Sequence, residues 1–195
     1  MPALPAKKQK KYTYEDYLQF PDELRCEIID GEIYDMTPAP STDHQRIAGK
    51  IYRIAASYLE SRDSPCEALI APVDVCFSEK DIVQPDVMLV CDRSKIRRRG
   101  IFGSPDVVFE VLSPGTEVKD RKKKMELYTR FGVKEYFLVN PDLQFVEKHV
   151  VHEDGHRGVW VYHGKETFMI DTIGLELTAQ DLFPGYEQEE QETEA

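Results

Sequence analysis

The chain has 195 residues, 41% of them hydrophobic and 31% charged, and a formal net charge of -11 at pH 7. This length suits one domain with a sizeable core, and the charge argues against a basic coat for nucleic acid without excluding a local basic cleft. No apolar run approaches the length of a membrane span and no secretory signal is present, so we expect a cytoplasmic protein without a membrane partner.

The two ends of the chain differ in composition from its middle. Residues 1–11 are predicted to form a disordered basic arm, residues 12–186 a single domain, and residues 187–195 a disordered acidic tail. The four cysteines form no CxxC pair and lie in apolar contexts, which favours buried free thiols over a zinc site or a disulfide framework. These cysteines are Cys26, Cys66, Cys76 and Cys91.

The N-terminal half alternates between helical and strand patterns. Thr13 is predicted to cap a short helix, with Asp16 three residues on. The segment 27–34 has two alternating runs around Asp-Gly, which predicts a β-hairpin. Apolar residues at intervals of three and four predict a helix from Asp43 onward, which Asp43 can cap, and residues 67–77 are predicted to form one strand.

The C-terminal half continues the alternation. Residues 82–91 and 106–112 are predicted strands separated by a basic loop, residues 117–131 a helix that Gly132 ends, and residues 135–139 a short strand. Residues 145–152 and 158–162 are predicted to form a hairpin. This order predicts an α/β core of a helix, three strands, a helix and a strand, with additional hairpins at both ends.

Two predicted strands that are apolar on both faces each contain one carboxylate, Asp86 and Glu110. A carboxylate in such a position is costly to bury unless it meets a cation. If the two strand faces coincide, the carboxylates converge, and a divalent ion such as Mg²⁺ could bind them together with the carbonyl of Val111. The alternative is an acidic pair that a lysine neutralises for stability alone.

Lys124 is the lysine that can reach this pair. Leu127, Tyr128 and Phe131 follow it at three, four and seven positions, which places Lys124 on the helix face that packs on the sheet. In a metal-dependent hydrolysis such a lysine orients or helps to deprotonate the attacking water and stabilises negative charge on phosphorus.

Several motifs occur together in one order, and their members are Gln84-Pro85-Asp86, Glu110 to Pro114, Asp120 to Tyr128, Glu27 to Glu32, His44-Gln45 and Gly132 to Val139. Over roughly residues 13 to 185 the chain resembles the PD-(D/E)XK nuclease superfamily, in its bacterial branch of restriction-endonuclease-like proteins. The resemblance implies a restriction-endonuclease-like fold and a DNA endonuclease that depends on Mg²⁺, or on Mn²⁺. It also implies that Asp86 and Glu110 are catalytic metal ligands.

The chain departs from the superfamily pattern at one position. The lysine expected two residues after Glu110 is replaced by Leu112, so Lys124 would have to supply that charge from the helix. A non-catalytic DNA-binding or interaction module that retains the fold is therefore the alternative function, and a metal-binding protein that uses the histidines is a third.

Further residues are candidates for supporting roles. Glu27 is either a further site residue or an exposed hairpin glutamate, and His44 either contacts a phosphate or caps its helix. Whether Asp74 also faces the site is left open. The histidines near the 145–162 hairpin are expected to be exposed. We expect DNA contacts from Arg97, Arg98, Arg99 and Lys122, where positive charge concentrates. A homodimer is expected because duplex cleavage needs two sites.

Overall fold

The structure is a computed structural model that describes residues 10–21, 23–36, 39–113, 120–151 and 157–183. Within these residues lie the α-helices α1 (Tyr14–Tyr17), α2 (Thr42–Glu60) and α3 (Met125–Arg130). A π-helical turn, Asp120–Lys124, leads directly into α3. Short 3-10 turns lie at Arg93–Lys95 and Ala179–Leu182, and no described helix is long and apolar enough to cross a membrane.

The strands of the described residues form two six-stranded sheets and one hairpin. In chain order they are β1 (Cys26–Ile29), β2 (Glu32–Asp35), β3 (Glu67–Ile70), β4 (Val75–Ser78), β5 (Asp81–Val83), β6 (Val87–Val90), β7 (Ile96–Arg97), β8 (Gly100–Phe102), β9 (Val107–Val111), β10 (Glu135–Asn140), β11 (Phe145–Val151), β12 (Arg157–His163), β13 (Thr167–Ile170) and β14 (Leu175–Thr178). The first sheet has the order β2-β1-β5-β4-β8-β7 and the second has the order β12-β11-β10-β9-β6-β3. Among the described strands, β13 and β14 form a separate two-stranded sheet. The mixed α/β class predicted from the sequence is confirmed.

Local sequence signals explain several element boundaries. Thr13 and Asp16 form the predicted capping box of α1. The predicted Asp-Gly hairpin is present as β1 and β2, and both turn residues, Asp30 and Gly31, have positive φ. The predicted cap of α2 is wrong, because Ser41 rather than Asp43 accepts the His44 N–H.

Two segments predicted as continuous strands are each divided between the two sheets. The segment 67–77 contains β3 of the second sheet and β4 of the first, with Pro72 between them. The segment 82–91 contains β5 of the first sheet and β6 of the second, with Pro85 between them. Proline cannot donate to a sheet ladder, so each proline lies where the chain leaves one sheet. The short β7–β8 hairpin, in a predicted loop, and the β13–β14 hairpin were not anticipated.

The cysteine prediction is wrong for one pair. Cys66 and Cys91 form a disulfide, whereas Cys26 and Cys76 are buried free thiols as expected. The β3–β6 register pairs Glu67 with Val90, and one further step along both strands brings Cys66 opposite Cys91. Because 25 residues separate the two cysteines, the sequence alone does not show that they are neighbours in the fold.

The hydrophobic core lies on both faces of the second sheet. On one face α2 packs against alternate residues of β6 and β9, including Leu89 and Phe109. On the other face α3 and the first sheet pack against the intervening residues, including Met88 and Val108. At the N-terminal end of the described residues, Lys10 contacts Asp16 and Lys11 contacts Glu32. The rest of the predicted arm and the predicted tail lie outside the described residues.

Candidate active site

The two predicted metal ligands lie at the adjoining ends of neighbouring strands. Strand β6 pairs with β9 in antiparallel fashion, with Val87 opposite Phe109. Asp86 lies in a bend one residue before Val87, and Glu110 lies one residue after Phe109. The two carboxylates are thus near the same end of the strand pair, and the convergence of their side chains stays a prediction.

Asp86 is held by the backbone of the neighbouring strand and by α2. Its Oδ2 accepts a hydrogen bond of 2.7 Å from the Val111 N–H, and His44 Nε2 lies 3.1 Å from the same oxygen. Among the described residues, these contacts of the Asp86 carboxylate all fall on Oδ2. The predicted candidate His44 thus contacts Asp86, while Ser41 caps the helix.

Glu110 is buried and is held through one oxygen by two groups of the helical segment 120–130. Lys124 Nζ donates to Glu110 Oε1 over 2.8 Å, and the Tyr128 hydroxyl donates to the same oxygen over 2.7 Å. Glu110 and Lys124 are each only 3% exposed. Lys124 therefore lies on the buried face that its spacing to Leu127 predicts, whereas Lys122 and Lys123 are exposed.

Glu27 joins this group from the first sheet. Its side chain is fully buried on β1, and Oε1 lies 2.9 Å from Lys124 Nζ and accepts the Gln84 N–H over 3.0 Å. The exposed-hairpin alternative for Glu27 is wrong. One lysine thus bridges a carboxylate of each sheet, and a cation between two buried anions offsets part of the desolvation of all three charges.

Leu112 occupies the position at which the superfamily pattern has a lysine. Leu112 and Glu110 are two residues apart, and Leu112 packs in the same core cluster as Leu127 and Tyr128. A lysine at position 112 would lie on this same face of the second sheet. Lys124 reaches that face from the helical segment packed against it and places its ammonium on Glu110.

The side chains of this region can be compared with the ligands that a divalent ion requires. Among the described residues no group of three or more His, Cys, Asp or Glu side chains could hold a metal ion. Mg²⁺ is usually bound by one or two carboxylates and keeps several waters. Asp86 and Glu110, with the Val111 carbonyl and water, are therefore the candidate ligands for an ion such as Mg²⁺ or Mn²⁺, and the described residues offer no site for an ion that needs three such side chains.

The predicted DNA-contacting residues are exposed. Arg97, Arg98 and Arg99 lie on and between β7 and β8, and the Arg97 guanidinium is 4.7 Å from the centre of the Phe102 ring. Strand β8 of this hairpin bonds to the segment just before β4, since the Ile101 N–H donates to the Asp74 carbonyl over 2.8 Å. Lys122 is exposed in the π-helical turn before α3.

Asp74 does not belong to the group around Lys124. Its Oδ1 accepts hydrogen bonds from the Tyr17 hydroxyl over 2.9 Å and from Gln84 Nε2 over 2.7 Å. Burial, with the Asp74 carboxylate as the second cause, raises the pKa of Tyr17. Asp74 alternates with Val75, whose side chain faces the α3 side, so Asp74 faces α1 on the opposite side of the first sheet.

The expectation of exposed histidines is wrong for His149. His149 is buried on β11 and its Nε2 lies 2.6 Å from Glu147 Oε1, while His163 is exposed as expected. The other two histidines of the region, at positions 152 and 156, lie outside the described residues. The bond to His149, followed by that to Arg121, lowers the pKa of Glu147 to about 2. His149 therefore forms a hydrogen bond with Glu147 within the sheet.

The sequence matches one protein family over most of its length. The model of the Uma2 family, described as "Putative restriction endonuclease", matches residues 14–180. The chain belongs to the Uma2 family. The uncharacterized protein slr1290 of Synechocystis sp. is 27% identical over 179 residues, which cover 90% of this chain and 93% of the relative.

A solved structure extends the comparison to the fold. The crystal structure of a "putative nuclease belonging to DUF820" from Anabaena variabilis superposes with a TM-score of 0.73 and 21% identity. The match covers 88% of this chain and 97% of that chain. At 21% identity this similarity establishes the fold alone, and the two chains share that fold.

Tyr128 is the site residue whose contact the sequence did not reveal. The spacing assigned it only to packing on the sheet, whereas its hydroxyl bonds Glu110. The available signal was a tyrosine four residues after the site lysine on one helix face, which places both polar tips over the same carboxylate.

Proposed function

We propose that this Uma2 protein is a metal-dependent DNA endonuclease that hydrolyses phosphodiester bonds. The observation that carries the proposal is the buried Lys124 ammonium on Glu110, where Glu110 and Asp86 each lie one residue beyond the paired Phe109 and Val87. A cation and convergent carboxylates at the end of a strand pair suit phosphoryl chemistry, since catalysis of this kind rests mainly on positioning and charge.

Asp86 and Glu110 would hold Mg²⁺ or Mn²⁺ in this proposal. When bound, the ion would activate a water and neutralise charge on the phosphate oxygens. The Val111 N–H and His44 fix Asp86 through Oδ2, while Lys124 and Tyr128 fix Glu110 through Oε1. These contacts hold both carboxylates in fixed orientations before substrate arrives, which lowers the cost of reorganisation during reaction.

Lys124 supplies the positive charge for the reaction itself. Its ammonium orients the attacking water and offsets negative charge as it develops on phosphorus. Glu27 acts through Lys124, because its Oε1 lies 2.9 Å from the ammonium that also contacts Glu110. Glu27 therefore has a supporting role in this proposal.

DNA is the proposed substrate. Arg97, Arg98, Arg99 and Lys122 would contact its phosphates, since exposed cations at these positions offer local positive charge in a chain of net charge -11. A homodimer would present two sites, one to each strand of the duplex.

The test is cleavage of supercoiled plasmid by the wild-type protein, Asp86→Asn and Glu110→Gln, with Mg²⁺ and with excess chelator. We expect nicked and linear products only from the wild type and only with the metal. Wild-type protein that binds the plasmid and leaves it intact with Mg²⁺ and with Mn²⁺ would overturn the nuclease and favour the non-catalytic DNA-binding module. Cleavage by both variants at the wild-type rate would assign the reaction to a different site.

A further inference from the structure

The helical segment that carries Lys124 contains two further cations that bind the sheets. Arg121 lies in the π-helical turn and Arg130 is the last residue of α3. Arg121 pairs with the second sheet, Arg130 pairs with the first sheet, and Lys124 between them pairs with both. The segment is thus attached at both ends and in the middle.

The N-terminal attachment lies in the same row of the second sheet as Glu110. Arg121 Nη1 donates to Glu147 Oε2 over 2.7 Å. The strand register places Glu110 opposite Leu138 and Leu138 opposite Glu147, so the two glutamates share a row and a face. One helical segment therefore holds two carboxylates of one row, Glu147 through Arg121 and Glu110 through Lys124.

The C-terminal attachment lies on the hairpin that carries Glu27. Arg130 Nη1 donates to Asp30 Oδ1 over 2.6 Å, and Nη2 donates to Asp81 Oδ1 over 2.9 Å. Asp30 begins the turn that follows β1, three residues after Glu27, and its N–H donates to Asp81 Oδ1. Arg130 thus fixes the helix to the same sheet that presents Glu27 to Lys124.

We propose that Arg121 and Arg130 are positioning residues that hold the Lys124 ammonium between Glu27 and Glu110. The proposal rests on the nuclease function proposed above. Lys124 is useful only while it touches both carboxylates, which belong to different sheets. Two attachments, one to each sheet, fix the helix against sliding or tilting relative to either carboxylate.

The energetics distinguish positioning from simple stabilisation. The Arg121 and Arg130 side chains are 31% and 46% exposed, so solvent screens the arginine end of each pair, while their partners Glu147 and Asp81 are 14% and 7% exposed. Glutamine at either arginine position keeps an N–H donor for the buried carboxylate, which limits the loss of stability. A displacement of about 1 Å at a reacting group, in contrast, can lower a rate by about 10²-fold. Loss of the two arginines should therefore affect turnover far more than folding.

The first experiment compares Arg121→Gln, Arg130→Gln and the double variant with Lys134→Gln. Lys134 is a matched control because it is exposed and pairs with Asp106 over 2.8 Å just after the helix. We expect the double variant to lose at least about 10-fold in kcat, with KM and the urea midpoint close to wild type, and the control to be unaffected. In a Lys124→Gln background the arginine substitutions should cause no further loss, since they act through Lys124. An equal loss in both backgrounds, or in the control, would overturn the proposal.

The second experiment does not require activity. Brief acetylation with acetic anhydride, followed by mass spectrometry, compares labelling of Lys124 with that of the exposed Lys122 and Lys123. We expect Lys124 to be strongly protected in the wild type and in Lys134→Gln, and to label several-fold faster in the double arginine variant. Unchanged protection in that variant would overturn the positioning role. Absence of cleavage by the wild type would instead overturn the nuclease, and labelling alone would then decide whether the arginines hold Lys124.

Discussion

Replacing Lys124 by alanine should lower both stability and cleavage, and the structure shows how to separate the two losses. Without the ammonium, Glu27 and Glu110 are left buried near each other without the cation that bridges them. Removal of one partner from a buried ion pair costs about 3–5 kcal/mol, which is a large part of the 5–15 kcal/mol that is typical of a domain. Lys124→Ala should therefore unfold at markedly lower urea concentration than the wild type.

A second substitution recovers stability without restoring the chemistry. Glu27→Gln removes one of the two uncompensated charges and keeps an acceptor for the Gln84 N–H. We expect Glu27→Gln/Lys124→Ala to be about 1–3 kcal/mol more stable than Lys124→Ala alone. Cleavage should stay lower than wild type by on the order of 10²-fold or more in both variants, since neither has the ammonium.

Urea unfolding and single-turnover cleavage of a DNA duplex would be measured on the same preparations. Lys123→Ala is the matched control, because Lys123 is adjacent in the chain and exposed, and its stability should change by less than about 0.5 kcal/mol. Equal effects of the Lys123 and Lys124 substitutions would refute the assignment of the helix face. Cleavage at the wild-type rate by the stabilised double variant would show that Lys124 serves the fold alone.

Three further predictions concern groups around the site. Charge reversal of Arg97, Arg98 and Arg99 should weaken DNA binding in filter or anisotropy assays and reduce the salt slope by roughly 2–3, whereas reversal of the exposed Arg53 on α2 should change neither. Tyr128→Phe removes a hydrogen bond to a buried carboxylate, so it should lower the unfolding free energy by about 1.5–3 kcal/mol and slow cleavage, and wild-type values for both would contradict the role of this hydroxyl. The pKa of Glu147 lies at about 2 instead of its usual 4.5, so its stabilisation is complete above pH 4.5 and is lost as the pH falls towards 2. Between pH 6 and pH 3 the urea midpoint of Glu147→Gln should therefore fall less than that of the wild type, and equal falls would refute the pairing.

The position of Lys124 could be predicted from local periodicity, because helical spacing to Leu127 placed it on the buried helix face, where it contacts Glu110. Alternation along two strands predicts that Asp86 and Glu110 share one face, and this stays a prediction, since Asp86 contacts His44 of α2. These patterns depend on the period of the backbone and not on the path of the chain between elements. The mixed α/β class could be predicted for the same reason.

The remaining features depend on which strands become neighbours. The contact between Glu27 and Lys124 exists because the first sheet packs over α3, and the Cys66–Cys91 disulfide exists because β3 pairs with β6. His149 is buried because β11 lies between β10 and β12. Such pairings join distant parts of the chain, and no local pattern specifies them.

The most direct test of the shared metal site is a crystal of the protein soaked in Mn²⁺ and measured at a wavelength where manganese scatters anomalously. We expect one anomalous peak within coordination distance, about 2.0–2.3 Å, of an oxygen of Asp86 and an oxygen of Glu110. The peak should be absent from crystals of Asp86→Asn. Carboxylates too far apart to share an ion, or a peak bound elsewhere while this pair stays empty, would contradict the proposal that Asp86 and Glu110 form the metal site of a nuclease.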